Sequence, residues 1–465
     1  MCQSIAEGGR RCSGTPTGKA LYALYRERRA NPSEEVNARI ANVKEAEKLY
    51  GGRFVTPFEM ALPDGVSEAM DVARYVGNPL IVGGAVRDVK AGAASKDTDI
   101  EVYGVSLDKL TKEFRSAGFH VDEVGKAFGV LKVSKRGVVS DLDVAVPRTE
   151  NAVGAGHRGF EVNTDQNMTV TDAAARRDFT INAMSYDPRL GVLIDPYNGA
   201  RDLEDKKLRA VSEKFAEDPL RVLRGVQFAA RFGMELDAET AALCRKLRPK
   251  YSELATERVQ EEWVKLWTKG TRPDLAMKAL KDSGWADTVD GLESALTEDT
   301  SRRLMKLTSV PLADRAATGA AVVAHAMDES KRRAFVKTTT VGNDAVRLSM
   351  SLVDTDPSAL ISSYDRKTYM NDVASKGFTF EKYRRYAQLI GDRAGVRAAN
   401  KAIAEGIGSS PEPALIQGRD IIPLTSAKPG PWLGKLVAQA LDAQYHGEFA
   451  DKSGGLDWIR AHLAV

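Results

Sequence analysis

Short β-branched runs crowd into one stretch of this chain and hardly recur outside it. Leu80–Val82, Asp99–Tyr103, Val130–Val133 and Leu142–Val146 are separated by Gly-containing turns and by one helical stretch over 107–117. Runs of that length and type form a compact sheet with few helices. Beyond it the apolar spacing becomes helical, over 218–232, 238–247 and 256–267 and onward to the end of the chain. Residues 1–65 are charged and Ala-rich, with helical patterning from Lys19 to Tyr50. The expected class is therefore α+β. Its parts are a helical N-terminal extension (1–65), a sheet-containing head (66–205), a helical neck (206–270) and a helical body and tail (271–465).

Composition narrows the setting more than the function. The longest apolar runs, such as Pro79–Val82 before Gly83 and Gly84, are too short to span a bilayer, and the polar opening Met1–Arg11 lacks a signal peptide's apolar stretch. This reading places the protein in the cytoplasm, away from membranes. The three cysteines, Cys2, Cys12 and Cys244, leave one unpaired in any pairing and show no zinc spacing, so reduced thiols are expected. A net charge of +3 neither argues for a nucleic-acid partner nor excludes one, because phosphate binding depends on a local stripe of charge.

The chemistry concentrates in the head. Leu80-Ile-Val-Gly-Gly-Ala-Val-Arg-Asp88 ends a strand in paired glycines at a helix start. Backbone N–H groups there suit a triphosphate, and Arg87 would add a bidentate charge. Asp97 and Asp99 stand two apart at the start of the next strand, so both carboxylates face one side, as a divalent cation requires. Each feature alone is a common structural device; together, within twenty residues, they favour chemistry. A third carboxylate would complete a clamp for phosphoryl displacement. Asp141 and Asp143 are the candidates, with Asp143 preferred because it is embedded in the apolar run. Arg176-Arg177-Asp178 could hold phosphates and a ribose hydroxyl. Glu217-Asp-Pro-Leu-Arg-Val-Leu-Arg224 begins a helix, for which Asp218 is a good N-cap and Pro219 a good first residue. Capping leaves Arg221 and Arg224 unexplained. An Asp acceptor beside an Arg fork could read the polar edge of a base.

In this order the segments GGAVRD (Gly83), DTDI (Asp97), GKAFGV (Gly125), DVAVPRTE (Asp143), GHRGF (Gly156), RRDFTINAM (Arg176), DPYNGARDL (Asp195), FAEDPLRVLRGVQFAARF (Phe215) and ERVQEEW (Glu257) resemble the class II tRNA nucleotidyltransferase and bacterial poly(A) polymerase superfamily. The resemblance implies a polymerase-β-like nucleotidyltransferase head followed by an all-helical neck, body and tail that form a curved support for tRNA. It implies an Mg2+-dependent enzyme in which Asp97 and Asp99 bind the metal and Asp143 joins them in catalysis. Gly84, Arg87 and Arg177 would contact the triphosphate, Asp178 the ribose, and Asp218 and Arg221 the base of CTP or ATP with help from Arg224. Gly83, Asp88 and Asn182 complete the implied nucleotide site. Glu257, Arg258 and Glu262 would brace the neck. Gln227 stands where several members carry a further arginine.

Two features choose within the superfamily. Ile416–Ile422 and Lys428–Lys435 look like the C-terminal segment of CCA-adding enzymes, and Asn182-Ala-Met fits that branch better than the polyadenylating one. The implied activity is template-independent addition of C and A to the 3′ end of tRNA with release of pyrophosphate. The rivals are a poly(A) polymerase and a non-catalytic tRNA-binding protein that keeps the fold. None of the five histidines is followed by aspartate, so no HD-type phosphatase activity is expected, and His157 reads as a residue of a flexible loop near the site. Arg332, Arg333 and Lys337 are candidates to meet the RNA backbone.

Overall fold

The computed structural model describes residues 14–52, 54–95, 98–125, 129–152 and 160–463. Asp97, His157, Cys2 and Cys12 lie outside these residues. The chain divides into two compact units, one running to Ala255 and taking in Lys278–Trp285, the other made of Thr256–Met277 and the residues from Ala286 onward.

The first unit is built on an eight-stranded mixed sheet. Its strands are β1 (Val55–Pro57), β2 (Asn78–Val82), β3 (Asp99–Tyr103), β4 (His120–Asp122), β5 (Val130–Lys135), β6 (Val139–Ala145), β9 (Ser185–Asp187) and β10 (Val192–Ile194), while β7 (Arg148–Ala152) and β8 (Phe160–Thr164) pair as a separate hairpin. The spatial order is β1-β10-β9-β2-β3-β6-β5-β4. Every neighbouring pair in the sheet is antiparallel except β3 and β6, which run parallel. Alternation decides the faces. On β3, Ile100 and Val102 are fully buried, which turns Asp99 and Glu101 to the other side. Helix α3 (Val66–Arg74) contacts β2, and α5 (Leu107–Ser116), capped by the Ser106 hydroxyl, contacts α3, β4 and β5, with Leu110 and Phe114 fully buried.

The N-terminal segment is part of this core. Thr15 caps α1 (Pro16–Ala30) by accepting the Gly18 N–H at 3.2 Å, and Ser33 caps α2 (Glu34–Tyr50) by accepting that of Val36, also at 3.2 Å. Pro32 lies in the break between them. Leu21, Leu24, Val36, Ile40 and Val43, at helical spacing, form one apolar cluster with Val55, Leu80, Val82, Val192 and Ile194 of the sheet. Full burial of each such side chain contributes about 1.5–3 kcal/mol. The segment read as an extension thus holds two helices and also an edge strand, whose Val55 N–H donates to the Thr17 hydroxyl at 2.8 Å.

Four further helices position the site: α4 (Gly84–Lys90), α6 (Val170–Ala174), α7 (Gly199–Glu204) and α8 (Arg221–Phe232). The start of α7 comes so close to the turn Thr180–Asn182 that a Cβ on Gly199 would lie 2.0 Å from the Thr180 carbonyl oxygen. Glycine is required there. Helix α8 begins three residues later than the sequence suggests. The Asp218 side chain accepts the Leu220 N–H at 3.1 Å, and the helix proper opens at Arg221.

The second unit is helical. Trp263 and Trp267 stack at 5.4 Å, and a Cβ on Gly319 would press on Trp267 at 2.9 Å, so the helix Leu312–His325 packs closely there. Phe378, Phe380, Tyr383 and Tyr386 form an aromatic cluster. Ile416 and Ile421 share a small C-terminal core with Leu436, Ala440 and Ile459, flanked by Trp432. Among the described residues no helix is long and apolar enough to cross a membrane.

Candidate active site

The site is assembled where β2 and β3 lie next to the parallel strand β6. Strand β2 ends at Gly83, whose φ of 73° belongs to the region that favours glycine and turns the chain into α4. The Gly83 N–H is spent on the Met184 carbonyl at 3.1 Å, so the backbone donors left for an anion begin at Gly84, in the first turn of α4. On β3, Asp99 stands directly in register with Asp143 of β6. Adjacent strands lie about 4.8 Å apart, so the two carboxylates are near neighbours.

These residues open onto a cavity of about 360 Å³. Asp99, Glu101 and Asp143 supply its acidic part; Arg148, Arg176, Arg177 and Arg221 supply its basic part, and Gly83 reaches its edge. The arginines are held in place. Arg177 donates to Glu101 and to the Asn182 carbonyl, both at 3.0 Å; Arg176 donates to the Arg148 carbonyl at 2.9 Å. Arg221 donates to the Lys214 carbonyl at 2.7 Å and the Arg176 carbonyl at 2.6 Å. Fixed guanidinium groups facing paired carboxylates can bind a polyphosphate and a cation side by side.

Asp143 is the better placed of the two candidate third carboxylates. Its Oδ1 is buried and pairs with Lys132 Nζ at 3.3 Å. Asp141 is more exposed, 64% against 45% for the Asp143 side chain, and pairs with the same lysine at 3.2 Å. Asp141 first and Asp143 second raise the Lys132 ammonium above its usual range by hydrogen bonding and charge. Two adjacent carboxylates match a magnesium ion, which takes one or two protein carboxylates and completes its shell with water and phosphate. Among the described residues no cluster of three or more potential ligands forms.

The remaining expected residues are not at the cavity wall. Arg87 is 5% exposed; its guanidinium pairs with Asp88 at 2.6 Å, donates to the Asn182 side-chain oxygen and lies 4.3 Å over the Phe232 ring. Burial lowers its pKa, partly offset by Asp88. The side chain expected at the triphosphate is paired with Asp88 and Asn182. Asp178, expected at the ribose, is also buried and paired. Its Oδ1 accepts from the Phe179 N–H at 2.7 Å and from Asn182 at 2.8 Å, and its Oδ2 accepts from Arg224 at 2.8 and 2.9 Å. Both oxygens are occupied where a ribose hydroxyl was expected. Burial works to raise this carboxyl, but Arg224, Asn182 and the Phe179 N–H outweigh it, and the net shift is downward. Arg224 consequently turns from the cavity towards Asp178, while Arg221, three residues earlier, lines it. Asp218 lies just before α8 and is not among the cavity-lining residues. Gln227, also in α8, is buried, so no polar side chain is offered at that position.

Three residues of the site were not singled out from the sequence: Glu101, Arg148 and Lys132. The first was readable, because Asp99 and Glu101 alternate with Ile100 and Val102 along one strand and must share a face. Arg148 and Lys132 reach the site through strand pairing, Lys132 standing opposite Asp143. Local sequence carries no signal for that.

Residues 80–209 match the family model of the Poly A polymerase head domain. Relatives extend the match somewhat beyond the head: a multifunctional CCA protein of Psychromonas ingrahamii is 41% identical over 209 residues, 44% of this chain and 48% of the relative. One from Xylella fastidiosa is 40% identical over 223 residues, 47% and 50% of the two chains. The chain thus spans about half the length of the curated relatives it matches. Among solved structures, the Bacillus stearothermophilus CCA-adding enzyme in complex with CTP aligns with a TM-score of 0.65 at 20% identity, covering 87% of this chain and 98% of that one. The Thermotoga maritima CCA-adding enzyme complexed with tRNA aligns with a TM-score of 0.59 at 18% identity over 88% and 99%. These likenesses establish the fold: a Poly A polymerase head with helices after it, as the α+β reading expects.

Proposed function

We propose that this chain is a template-independent nucleotidyltransferase that adds C and A to the 3′ end of tRNA, drawing on CTP and ATP and releasing pyrophosphate. The observation that carries the reading is the juxtaposition, in a Poly A polymerase head, of the Asp99–Asp143 pair with the four cavity arginines. The names of the relatives, multifunctional CCA protein and CCA-adding enzyme, support the choice of product. In this reading Arg148, Arg176 and Arg177 orient the triphosphate, and the first turn of α4 lends its N–H groups. Asp99 and Asp143, together with Asp97 of the same motif, hold Mg2+. When bound, that ion supplies Lewis-acid activation of the 3′ hydroxyl and neutralises charge on the phosphates. The hydroxyl attacks the α-phosphate in line and pyrophosphate leaves. Asp218 and Arg221 read the base, and their anchorage explains how choice is made without a template. The neck and the helices after it, including Arg332, Arg333 and Lys337, serve the tRNA, and the setting is cytoplasmic.

The test is extension of tRNA transcripts lacking their 3′ CCA, with CTP and ATP supplied separately and together. A short product with a fixed end is expected, and the separate arms report whether C, A or both are added. An open-ended A ladder on tRNA and unstructured RNA alike would identify a polyadenylating enzyme. No extension by a folded, tRNA-binding protein would favour the non-catalytic reading.

A further inference from the structure

The helical hairpin of α1 and α2 contributes no residue to the cavity wall, and the outward side of α1 carries a pattern that core packing leaves unexplained. Helix α1 turns Leu21, Leu24 and Tyr25 inward. On the opposite side Lys19, Tyr22, Arg26 and Arg29 follow one another at intervals of three and four residues, so they stand in one solvent-facing row, with Tyr22 46% exposed. The row spans about 15 Å by helical rise. Neighbouring cations are engaged elsewhere: Arg39 pairs with Glu27 at 3.0 Å, and Arg28 and Lys44 lie over the Tyr25 ring at 4.9 and 5.7 Å. Among the described residues no acidic side chain pairs with Lys19, Arg26 or Arg29. A helix face made only for water mixes its signs, as α2 does with the exposed Glu34, Glu35, Lys44, Glu45 and Lys48. The row on α1 has one sign and an aromatic ring within it.

Packing sets this row beside the cavity. Leu80, Val82 and Tyr103 lie in the apolar cluster beneath the hairpin. By alternation along β3, Tyr103 shares the side of the sheet that carries Asp99 and Glu101, and its hydroxyl donates to Glu101 at 2.6 Å. Val82 and Ala173 belong to the same cluster and also line the cavity. Hairpin and cavity are therefore neighbours on one face of the sheet. We propose that the outer row of α1 binds the acceptor RNA next to its 3′ end, with Lys19, Arg26 and Arg29 pairing with backbone phosphates and Tyr22 stacking on a base between them. The inference rests on the nucleotidyltransferase reading and deepens it by naming a surface for the acceptor. Charge complementarity selects the occupant: a strand with regularly spaced phosphates meets a row of one sign, and each pairing releases condensed counterions. An aromatic ring among cations is the arrangement that holds unpaired bases. A bilayer would need an apolar helix face to insert, and that face of α1 is spent on the sheet.

The experiment compares the full chain with three variants: Lys19→Gln with Arg26→Gln and Arg29→Gln, Arg26→Lys with Arg29→Lys, and Tyr22→Ala. Fluorescence anisotropy measures binding of tRNA lacking its 3′ CCA, and of a minihelix of its acceptor stem, between about 50 and 200 mM salt. Melting temperature checks the fold, and kcat and KM for CTP and for RNA are measured alongside. The triple variant should bind both RNAs about tenfold or more weakly, and the slope of log affinity against log salt should shrink by about 2–3. KM for RNA should rise in step, while kcat and KM for CTP stay within about twofold, because phosphate contacts outside the cavity position the acceptor and carry no base choice. The double lysine variant, which keeps both charges, should stay near wild type. Tyr22→Ala should weaken binding by about fivefold. Unchanged affinity and salt slope in the triple variant would overturn the proposal, as would a loss seen on full tRNA with minihelix binding intact, which would place the contact far from the 3′ end. If the wild-type chain binds both RNAs but extends neither, the activity reading fails while the binding comparison still decides the role of the row.

Discussion

Replacing Asp143 by Asn, side by side with Asp141→Asn, separates two carboxylates that lie two residues apart on the same strand. Both substitutions keep shape and remove one charge. A cation held at Asp99 and Asp143 sits about 4 Å from the Asp143 charge, where one pair of unit charges is worth about 4 kcal/mol at an effective dielectric of about 20. Asp141 is two residues along β6, about 6.6 Å further by strand rise, and it is largely exposed. At about 9 Å through water the same pair is worth about 0.5 kcal/mol, reduced again by salt with a screening length of about 8–10 Å. Single electrostatic stabilisers of a transition state are typically worth about 3–4 kcal/mol. Asp143→Asn should accordingly lower kcat/KM by about a hundredfold to a thousandfold. Asp141→Asn should remain within about threefold of wild type on the same grounds. The assay is incorporation of labelled CTP into tRNA lacking its terminal residues at saturating magnesium, with circular dichroism to confirm folding. Equal losses in the two variants, or a larger loss at Asp141, would refute the assignment of the pair in register as the ligand pair.

Arg221→Ala should relax base choice more than it weakens triphosphate binding; misincorporation of UTP and GTP by a variant that keeps its KM checks this, and an active variant with full preference moves the reading elsewhere. Gly199→Ala forces a Cβ to within 2.0 Å of a backbone oxygen and should destabilise the head by about 2 kcal/mol or more, seen as a lower melting temperature. The Cys244 thiol is pushed up to about 12, chiefly by burial. In the folded protein it should resist alkylation at pH 9 until denaturant is added, as mass spectrometry of the labelled peptide reports. The sign for stability follows: the unfolded chain ionises this thiol near its ordinary pKa of about 8.5, so stability from this group is complete below that pH and declines between there and about 12.

Much of the head was legible because its elements announce themselves locally. The β3 limits Asp99–Tyr103 follow from alternation around Ile100 and Val102, and the turn at Gly83 from the glycine pair after an apolar run. Strands β1, β9 and β10 are three residues each and carry too few alternations to stand out; they exist because the sheet offers them hydrogen bonds. The carboxylates of the site were legible as residue types, but the partnership of Asp99 with Asp143 spans 44 positions and is decided by a parallel pairing. Arg87 and Asp178 show the opposite limit. Motif position marks them as important, whereas their burial and their partners Asp88, Asn182 and Arg224 are decided by the fold and are not written in the local sequence.

The strand β1 sets a timetable for synthesis. Its partner β10 is encoded about 140 residues later, Val55 pairing with Ile194, and at translation rates of about 5–20 residues per second the wait is on the order of ten seconds. For that interval the apolar sides of α1 and α2, with Leu21, Leu24, Val36, Ile40 and Val43, lack the part of their cover that Val192 and Ile194 supply. The nascent chain therefore leaves the ribosome with a greasy helical hairpin and an unpaired strand in front, and holding them apart from other chains until residue 194 emerges is a task for whatever binds new polypeptides first.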